Sequence, residues 1–99
     1  MTAMSTLAVK RVTVAVDGSD VCGLLVLSDG VLVAVLVCLD EEFYGPDRGR
    51  WHVEAGFGKC AASPPTFDRL GDALRWIAER LGLDPESVML AITDLKDER

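Results

Sequence analysis

Cys60 and His52 are the two side chains whose combination could do covalent chemistry. A thiol nucleophile needs an imidazole that lowers its pKa and carries its proton. Residues 56–59 before Cys60 are glycine-rich and mildly basic, but no predicted helix begins closely enough behind the thiol to stabilise a thiolate. A buried or incidental cysteine explains the pattern better. A thiol-dependent enzyme or redox sensor using Cys60 is therefore the least favoured hypothesis.

Other residues that could bind ions lack the required spacing. Cys22, Cys38 and Cys60, with one histidine in the chain, form neither a zinc motif nor a disulfide framework. The acidic run at residues 40–42 matches no calcium-binding loop. The glycines before Lys59 have neither the Walker nor the dinucleotide spacing. We therefore predict no catalytic, metal-binding or cofactor-binding residue, and expect a protein that is not an enzyme.

Aromatic rings beside cations are the remaining feature that could contact a ligand. Such platforms hold single-stranded nucleic acid by base stacking, and the candidate contacts here are Arg48, Arg50, Trp51 and Lys59. The formal charge of −6 opposes this use, since it repels a phosphate backbone. Nucleic-acid binding is accordingly an alternative hypothesis, and we expect no membrane partner.

The composition bounds the class of protein. A chain of 99 residues with 49% apolar side chains is long enough for one core, so we predict a flexible N-terminus at residues 1–6 and a single domain at residues 7–99. Three cysteines without framework spacing favour a reducing, cytoplasmic location. Residues 1–6 do not resemble a secretory signal. The apolar stretch at residues 24–39 is interrupted at residues 28–30, which leaves two pieces too short to span a membrane.

Apolar patterning predicts four strands, over residues 7–16, 21–27, 31–39 and 50–57. Asp29-Gly30 between β-branched runs is typical of a two-residue hairpin turn. Short connections between successive strands favour an antiparallel meander. The third strand is apolar on both faces, which indicates a central position.

Helical patterning follows the strands. Residues 69–81 repeat apolar side chains at intervals of three and four, with Thr66 or Asp68 as the N-cap and Gly82 as the C-cap. Residues 84–86 predict the start of a second helix, although residues 89–93 could instead form a short buried strand. The predicted fold class is α+β, a four-stranded antiparallel meander followed by one or two C-terminal helices packed on one face.

The hairpin register predicts how the apolar residues divide between the two sheet faces. With a two-residue turn, Ser28 pairs with Val31 and Leu25 with Ala34. One face is then expected to form the core beneath the first helix, with Val21, Gly23, Leu25, Leu27, Leu32, Ala34, Leu36 and Cys38. Any even-length turn between the first two strands adds Val12, Val14 and Val16 to this face. The opposite face presents Leu24, Val26, Val31, Val33, Val35 and Val37. This register separates Cys22 from Cys38 and excludes a disulfide between them.

The second of these faces is the predicted interaction surface. The second helix could fold over this face, but one short helix covers only part of a four-stranded sheet, and a bare apolar face of this size marks an interface. The sequence alone does not determine the function. The leading hypothesis is a small acidic protein-interaction module that is non-enzymatic and homodimeric, or that binds another protein. Single-stranded nucleic-acid binding through residues 48–59 is the alternative, and no motif identifies a family.

Overall fold

The computed structural model describes residues 6–16, 19–39, 50–61 and 66–97. Within these ranges the elements are β1 (Leu7–Val16), β2 (Ser19–Ser28), β3 (Val31–Leu39), β4 (Arg50–Gly56), a 3-10 turn (Gly58–Cys60), α1 (Leu70–Leu81) and α2 (Glu86–Asp97). The strands form one antiparallel sheet in the order β1-β2-β3-β4. The predicted α+β class, with a meander and C-terminal helices, is confirmed. Residues 89–93 belong to α2, so the alternative strand is wrong.

The turn between β2 and β3 has the geometry that its sequence predicts. Asp29 and Gly30 have φ values of 52° and 83°, as a type I′ turn requires, and Ser28 pairs with Val31. The Asp29 backbone N–H donates to the Thr6 carbonyl at 3.0 Å, and the Thr6 N–H donates to Asp29 Oδ1 at 2.8 Å. Thr6, expected in the flexible terminus, is therefore bonded to the sheet. Residues 1–5 lie outside the described residues.

A β-bulge in β3 changes the register beyond this turn. Leu27 pairs with Leu32, but the preceding residue Val26 pairs with Ala34, so Val33 is an extra residue in β3. Side chains alternate between faces with a period of two, and one extra residue therefore moves the rest of the strand to the opposite face. Nothing in an uninterrupted apolar strand marks such a position in the sequence.

The shifted register overturns one predicted pairing. Leu25 pairs with Val35 and not with Ala34. A second bulge lies in β4, where Glu54 is the extra residue between Val53 and Ala55. The alternation of side chains between the two faces is therefore interrupted at Glu54.

The N-terminus of α1 differs from the prediction, whereas its C-terminus agrees. Its N-cap is Arg69, which makes no side-chain capping bond. Thr66 and Asp68 both contact the Arg50 guanidinium instead, at 3.4 Å and 2.8 Å, so the predicted caps are wrong. Gly82 ends the helix with a left-handed φ of 72°.

The N-terminus of α2 agrees with the prediction. The Asp84 carboxylate accepts a hydrogen bond from the Glu86 backbone N–H at 3.1 Å. The Ser87 side chain is buried, and its hydroxyl finds a hydrogen-bond partner by donating to the Asp84 carbonyl at 2.6 Å. Neither described helix is long and apolar enough to cross a membrane.

Both helices pack on one face of the sheet, which we call the helix-covered face. α2 contacts β1, and α1 contacts β4 and the 3-10 turn. The sheet contributes Leu7, Leu24, Val26, Val33, Ala34, Leu36 and Val53 to this core, and the helices contribute Ala73, Leu74, Ile77, Ala78, Val88, Ala91 and Leu95. The arrangement reverses our prediction, because Leu24 and Val26 are 1% and 0% exposed beneath the helices.

Gly56, at the end of β4 on the helix-covered face, must be a glycine because the backbone of Cys60 passes very close to it. A Cβ added at Gly56 would lie within 2 Å of the Cys60 carbonyl oxygen. The 3-10 turn can therefore fold back over the end of β4 only because residue 56 lacks a side chain. Cys60, at the end of this turn, is completely buried in the core, at 0% exposure.

Candidate interaction surface

The opposite side of the sheet carries a second apolar surface, which we call the helix-free face. The strand register assigns to it Val12, Val14, Val21, Leu25, Leu27, Leu32, Val35, Val37 and Ala55. No described helix packs on these residues. Several of them, including Val12, Leu25 and Val35, are only half-buried.

Gly23 shapes the middle of the helix-free face. A Cβ built on Gly23 would lie 2.6 Å from a methyl carbon of Val14. The missing side chain lets Val14 of β1 lean across β2 and pack with Val21 and Val37, which are 3% and 1% exposed. The helix-free face therefore has a small, well-packed cluster of its own beside its half-buried leucines.

Charged groups lie at the two edges of the helix-free face. Lys10 is exposed on β1, where it pairs with Leu25. On β4, His52 Nε2 lies 3.7 Å from Glu54 Oε2, and both side chains are about two-fifths exposed. His52 pairs with Val37, which places this imidazole and carboxylate on the helix-free face. The face thus has an apolar centre, a cation at one edge and a carboxylate at the other.

The residues that we predicted as an interaction face are divided between several environments. Leu24 and Val26 are buried beneath the helices, as is the bulge residue Val33 at 8% exposure. Val31 is 64% exposed beside the β2–β3 turn. Among the six, Val35 and Val37 lie on the helix-free face.

The members that we missed had been assigned to the core. Val12, Val14, Val21, Leu25, Leu27 and Leu32 share one face, as predicted, but no described helix covers it. Ala34, Leu36 and Cys38 were expected beside them and lie on the helix-covered face because of the Val33 bulge. The periodicity of the sequence correctly predicted which residues of β1 and β2 share a face, but not on which face of the sheet the helices pack.

The predicted nucleic-acid contacts do not form a platform among the described residues. The Arg50 guanidinium is paired with Asp68, and the Trp51 ring packs against the core. Trp51 also exchanges backbone hydrogen bonds of 2.7 Å and 2.8 Å with Phe67. Lys59 is exposed in the 3-10 turn, and Arg48 lies outside the described residues, as does the acidic run at residues 40–42.

Cys60 and His52 are separated by the sheet. Cys60 belongs to the core under α1, whereas His52 lies on the helix-free face. Burial raises the pKa of the Cys60 thiol, and the nearby Arg80 guanidinium offsets part of this increase. Arg80 also donates from Nε to the Lys59 carbonyl at 2.9 Å, which ties α1 to the turn. A buried thiol with a raised pKa is a poor nucleophile.

Comparisons with known proteins do not assign a family. No protein-family model, curated protein or solved structure significantly matches this chain. The fold and its surfaces alone therefore define the class, an α+β domain with a four-stranded antiparallel meander and two helices on one face.

Proposed function

We propose that this chain is a small, non-enzymatic protein-interaction module that forms a homodimer through the helix-free face. The observation that carries this proposal is an apolar surface across all four strands, without a described helix over it. Sheets with one apolar face normally bury it against another layer. A second copy of the same face would supply that layer. The predicted cytoplasmic location and the nucleic-acid alternative stay predictions.

The sheet edges are less suitable for self-association than the face. At the β4 edge, Phe67 already occupies backbone groups of Trp51. Antiparallel pairing of two β1 strands about their centres would bring Lys10 and Arg11 of both copies together. Cations on an edge strand oppose such pairing by like-charge repulsion. Packing of face against face avoids both obstacles.

Charge complementarity favours a second copy as the partner. Lys10, Leu25, Val35 and Ala55 form one row across the four strands, because each pairs with the next. Glu54 adjoins Ala55 at the end of this row. The row therefore runs from a cation on β1, through three apolar side chains, to a carboxylate on β4. Within the described residues, the Lys10 ammonium has no ion-pair partner.

A two-fold axis parallel to the strands would make this row complementary to itself. Such an axis lays β1 of one copy over β4 of the other and leaves each row at the same height. Leu25 then packs on Val35 of the other copy, and Lys10 lies opposite Glu54 at both ends. An axis across the strands would instead place Lys10 over Lys10 and Glu54 over Glu54. We therefore favour the axis parallel to the strands.

Sheet twist is compatible with these contacts. Lys10 and Ala55 each lie about 7 Å from the axis, since strands are about 4.8 Å apart. Aligned sheets cross at about 30°, which displaces the paired rows by roughly 4 Å at that radius. Lysine and glutamate side chains are long enough to bridge this offset. The face measures roughly 20 Å in each direction, which is at the small end of specific interfaces, so we expect a weak and reversible dimer.

The first test measures the mass of the full chain by sedimentation equilibrium over a wide concentration range. We expect a monomer–dimer equilibrium that Val35→Asp abolishes, because a carboxylate would be buried in the centre of the interface. Met89→Asp is the matched control, since Met89 is 71% exposed on α2 and the charge change is the same. Circular dichroism checks that both variants are folded.

The results that contradict the proposal are specific. A wild-type protein that stays monomeric at hundreds of micromolar would refute homodimerisation. A dimer that Met89→Asp disrupts and Val35→Asp does not would transfer the interface to the helix layer.

A charge reversal tests the orientation of the dimer. Glu54→Lys makes the formal charge of −6 less negative by two, so net charge alone predicts tighter association. The Lys10–Glu54 pairing predicts the opposite, a dissociation constant roughly tenfold weaker for Glu54→Lys and for Lys10→Glu. The double variant should recover the wild-type constant. Arg11→Glu is the control, because Arg11 adjoins Lys10 on the opposite face. A dimer that Glu54→Lys strengthens would refute this orientation and leave the helix-free face as the interface.

A further inference from the structure

The Val33 bulge has a second consequence, because it brings two cysteines to the same face. Cys22 lies two residues before Leu24 on β2, and Cys38 lies two residues after Leu36 on β3. Leu24 pairs with Leu36, and no bulge separates either leucine from its cysteine. Both thiols therefore lie on the helix-covered face. The predicted separation of Cys22 from Cys38 is wrong.

The strand register further places these two cysteines opposite each other. Leu24 pairs with Leu36 and Gly23 with Val37, so the next step along the two strands is Cys22 with Cys38. The strands stay adjacent there, since Val21 packs in one cluster with Val37. Residues opposite each other in an antiparallel pair have Cα atoms about 4.5 to 5.5 Å apart. A disulfide needs Cα atoms separated by about 4.4 to 6.8 Å.

Solvent can reach this pair but not the third cysteine. Cys22 is exposed, as are Arg11 and Thr13 next to it on β1, so the helix layer ends before this part of the sheet. Cys38 is half-buried, whereas Cys60 is fully buried. A small oxidant could therefore attack Cys22 first, with Cys38 beside it to complete the reaction.

We propose that Cys22 and Cys38 form a cross-strand disulfide when the protein meets a small disulfide such as oxidised glutathione. The Cys22 thiolate attacks one sulfur of the oxidant, which forms a mixed disulfide and releases one glutathione thiolate. The Cys38 thiolate then attacks the Cys22 sulfur and releases the second glutathione. Two protein thiols lose two protons and two electrons, and one glutathione disulfide becomes two thiols. The pair is thus a reversible, redox-dependent link between the central strands.

The test treats the reduced, native full chain with oxidised glutathione and measures its intact mass. We expect the loss of two hydrogens in the wild type and in Cys60→Ser. Cys38→Ser should instead stop as a glutathione adduct on Cys22, because the resolving thiol is missing. Cleavage before Asp29 separates the two cysteines into different peptides, which the disulfide would hold together until it is reduced. The oxidised protein should melt roughly 10 °C higher, since the link restricts the unfolded chain between Cys22 and Cys38.

Two results would overturn the proposal. One is a wild type that accumulates glutathione adducts without losing hydrogens, which would mean that the sulfurs cannot meet. The other is a disulfide that contains Cys60, since this requires the core to open. Neither result depends on the oligomeric state, so the proposed homodimer is tested separately.

Discussion

The two faces of the sheet are built from the same residue types and differ in what covers them. Leu24 and Leu25 are neighbours on β2, yet Leu24 is 1% exposed beneath the helices and Leu25 is half-buried on the helix-free face. Both leucines pair with apolar residues of β3, Leu36 and Val35. Apolar character therefore does not by itself assign a face to the core. The register of the strands and the path of the helices determine which apolar residues are buried in the core.

Single-residue changes in β3 should separate the two faces most strongly. Insertion of one alanine between Val35 and Leu36 adds a second extra residue, which moves Leu36 and Val37 to the opposite faces, so we expect a loss of about 5 kcal/mol or more. Deletion of the bulge residue Val33 preserves the parity of the strand, and its cost should be about 1 to 3 kcal/mol for the lost side chain. Urea unfolding followed by circular dichroism compares the two variants. Equal destabilisation would mean that β3 has no bulge at Val33.

Alanine substitution of the two neighbouring leucines gives the next largest difference. Leu24→Ala should destabilise the monomer by about 2 to 5 kcal/mol, because it leaves a cavity between sheet and helices. Leu25→Ala should cost about 1 kcal/mol or less, since its side chain is half-buried and makes no contact with a described helix. Both free energies of unfolding are measured by urea titration at protein concentrations low enough to keep the chain monomeric. A larger cost at Leu25 would contradict the assignment of the faces.

The smallest effect concerns Cys60, which lies in the core of the helix-covered face. Burial raises the pKa of this thiol, so the unfolded chain loses the Cys60 proton at a lower pH than the folded chain. Stability should therefore fall as the pH rises above the ordinary thiol pKa of 9.0, by at most about 1.4 kcal/mol per pH unit. Cys60→Ala should lack this component, which urea unfolding between pH 7 and about 10 would show.

The exposed Cys22 provides the control for that measurement. Cys22→Ala also removes one thiol, but from the surface of the folded chain and not from its core. If Cys60→Ala and the wild type lose stability in parallel, the Cys60 thiol is not buried as described.

The local signals in the sequence predicted the elements well. Asp29-Gly30 specified the type I′ turn, Gly82 ended α1, and Asp84 began α2. These positions are readable because their conformation depends on one or two residues. Runs of β-branched residues likewise predicted where the strands lie.

The distribution of residues between the faces could not be predicted from such signals. The bulges at Val33 and Glu54 depend on how three strands pair, and no glycine or proline marks either position. Each bulge reverses the parity of the residues that follow it. The charged row from Lys10 to Glu54 and the opposition of Cys22 to Cys38 both result from this register.

Carbene footprinting of the native chain at two protein concentrations tests the central claim most directly, since it reports the solvent exposure of individual side chains. The account predicts weak labelling of Leu24 and Leu36 at both concentrations. Leu25 and Val35 should be labelled in the dilute monomer and protected at high concentration. Strong labelling of Leu24 and Leu36 together with permanent protection of Leu25 and Val35 would contradict the account, because the helices would then cover the other face.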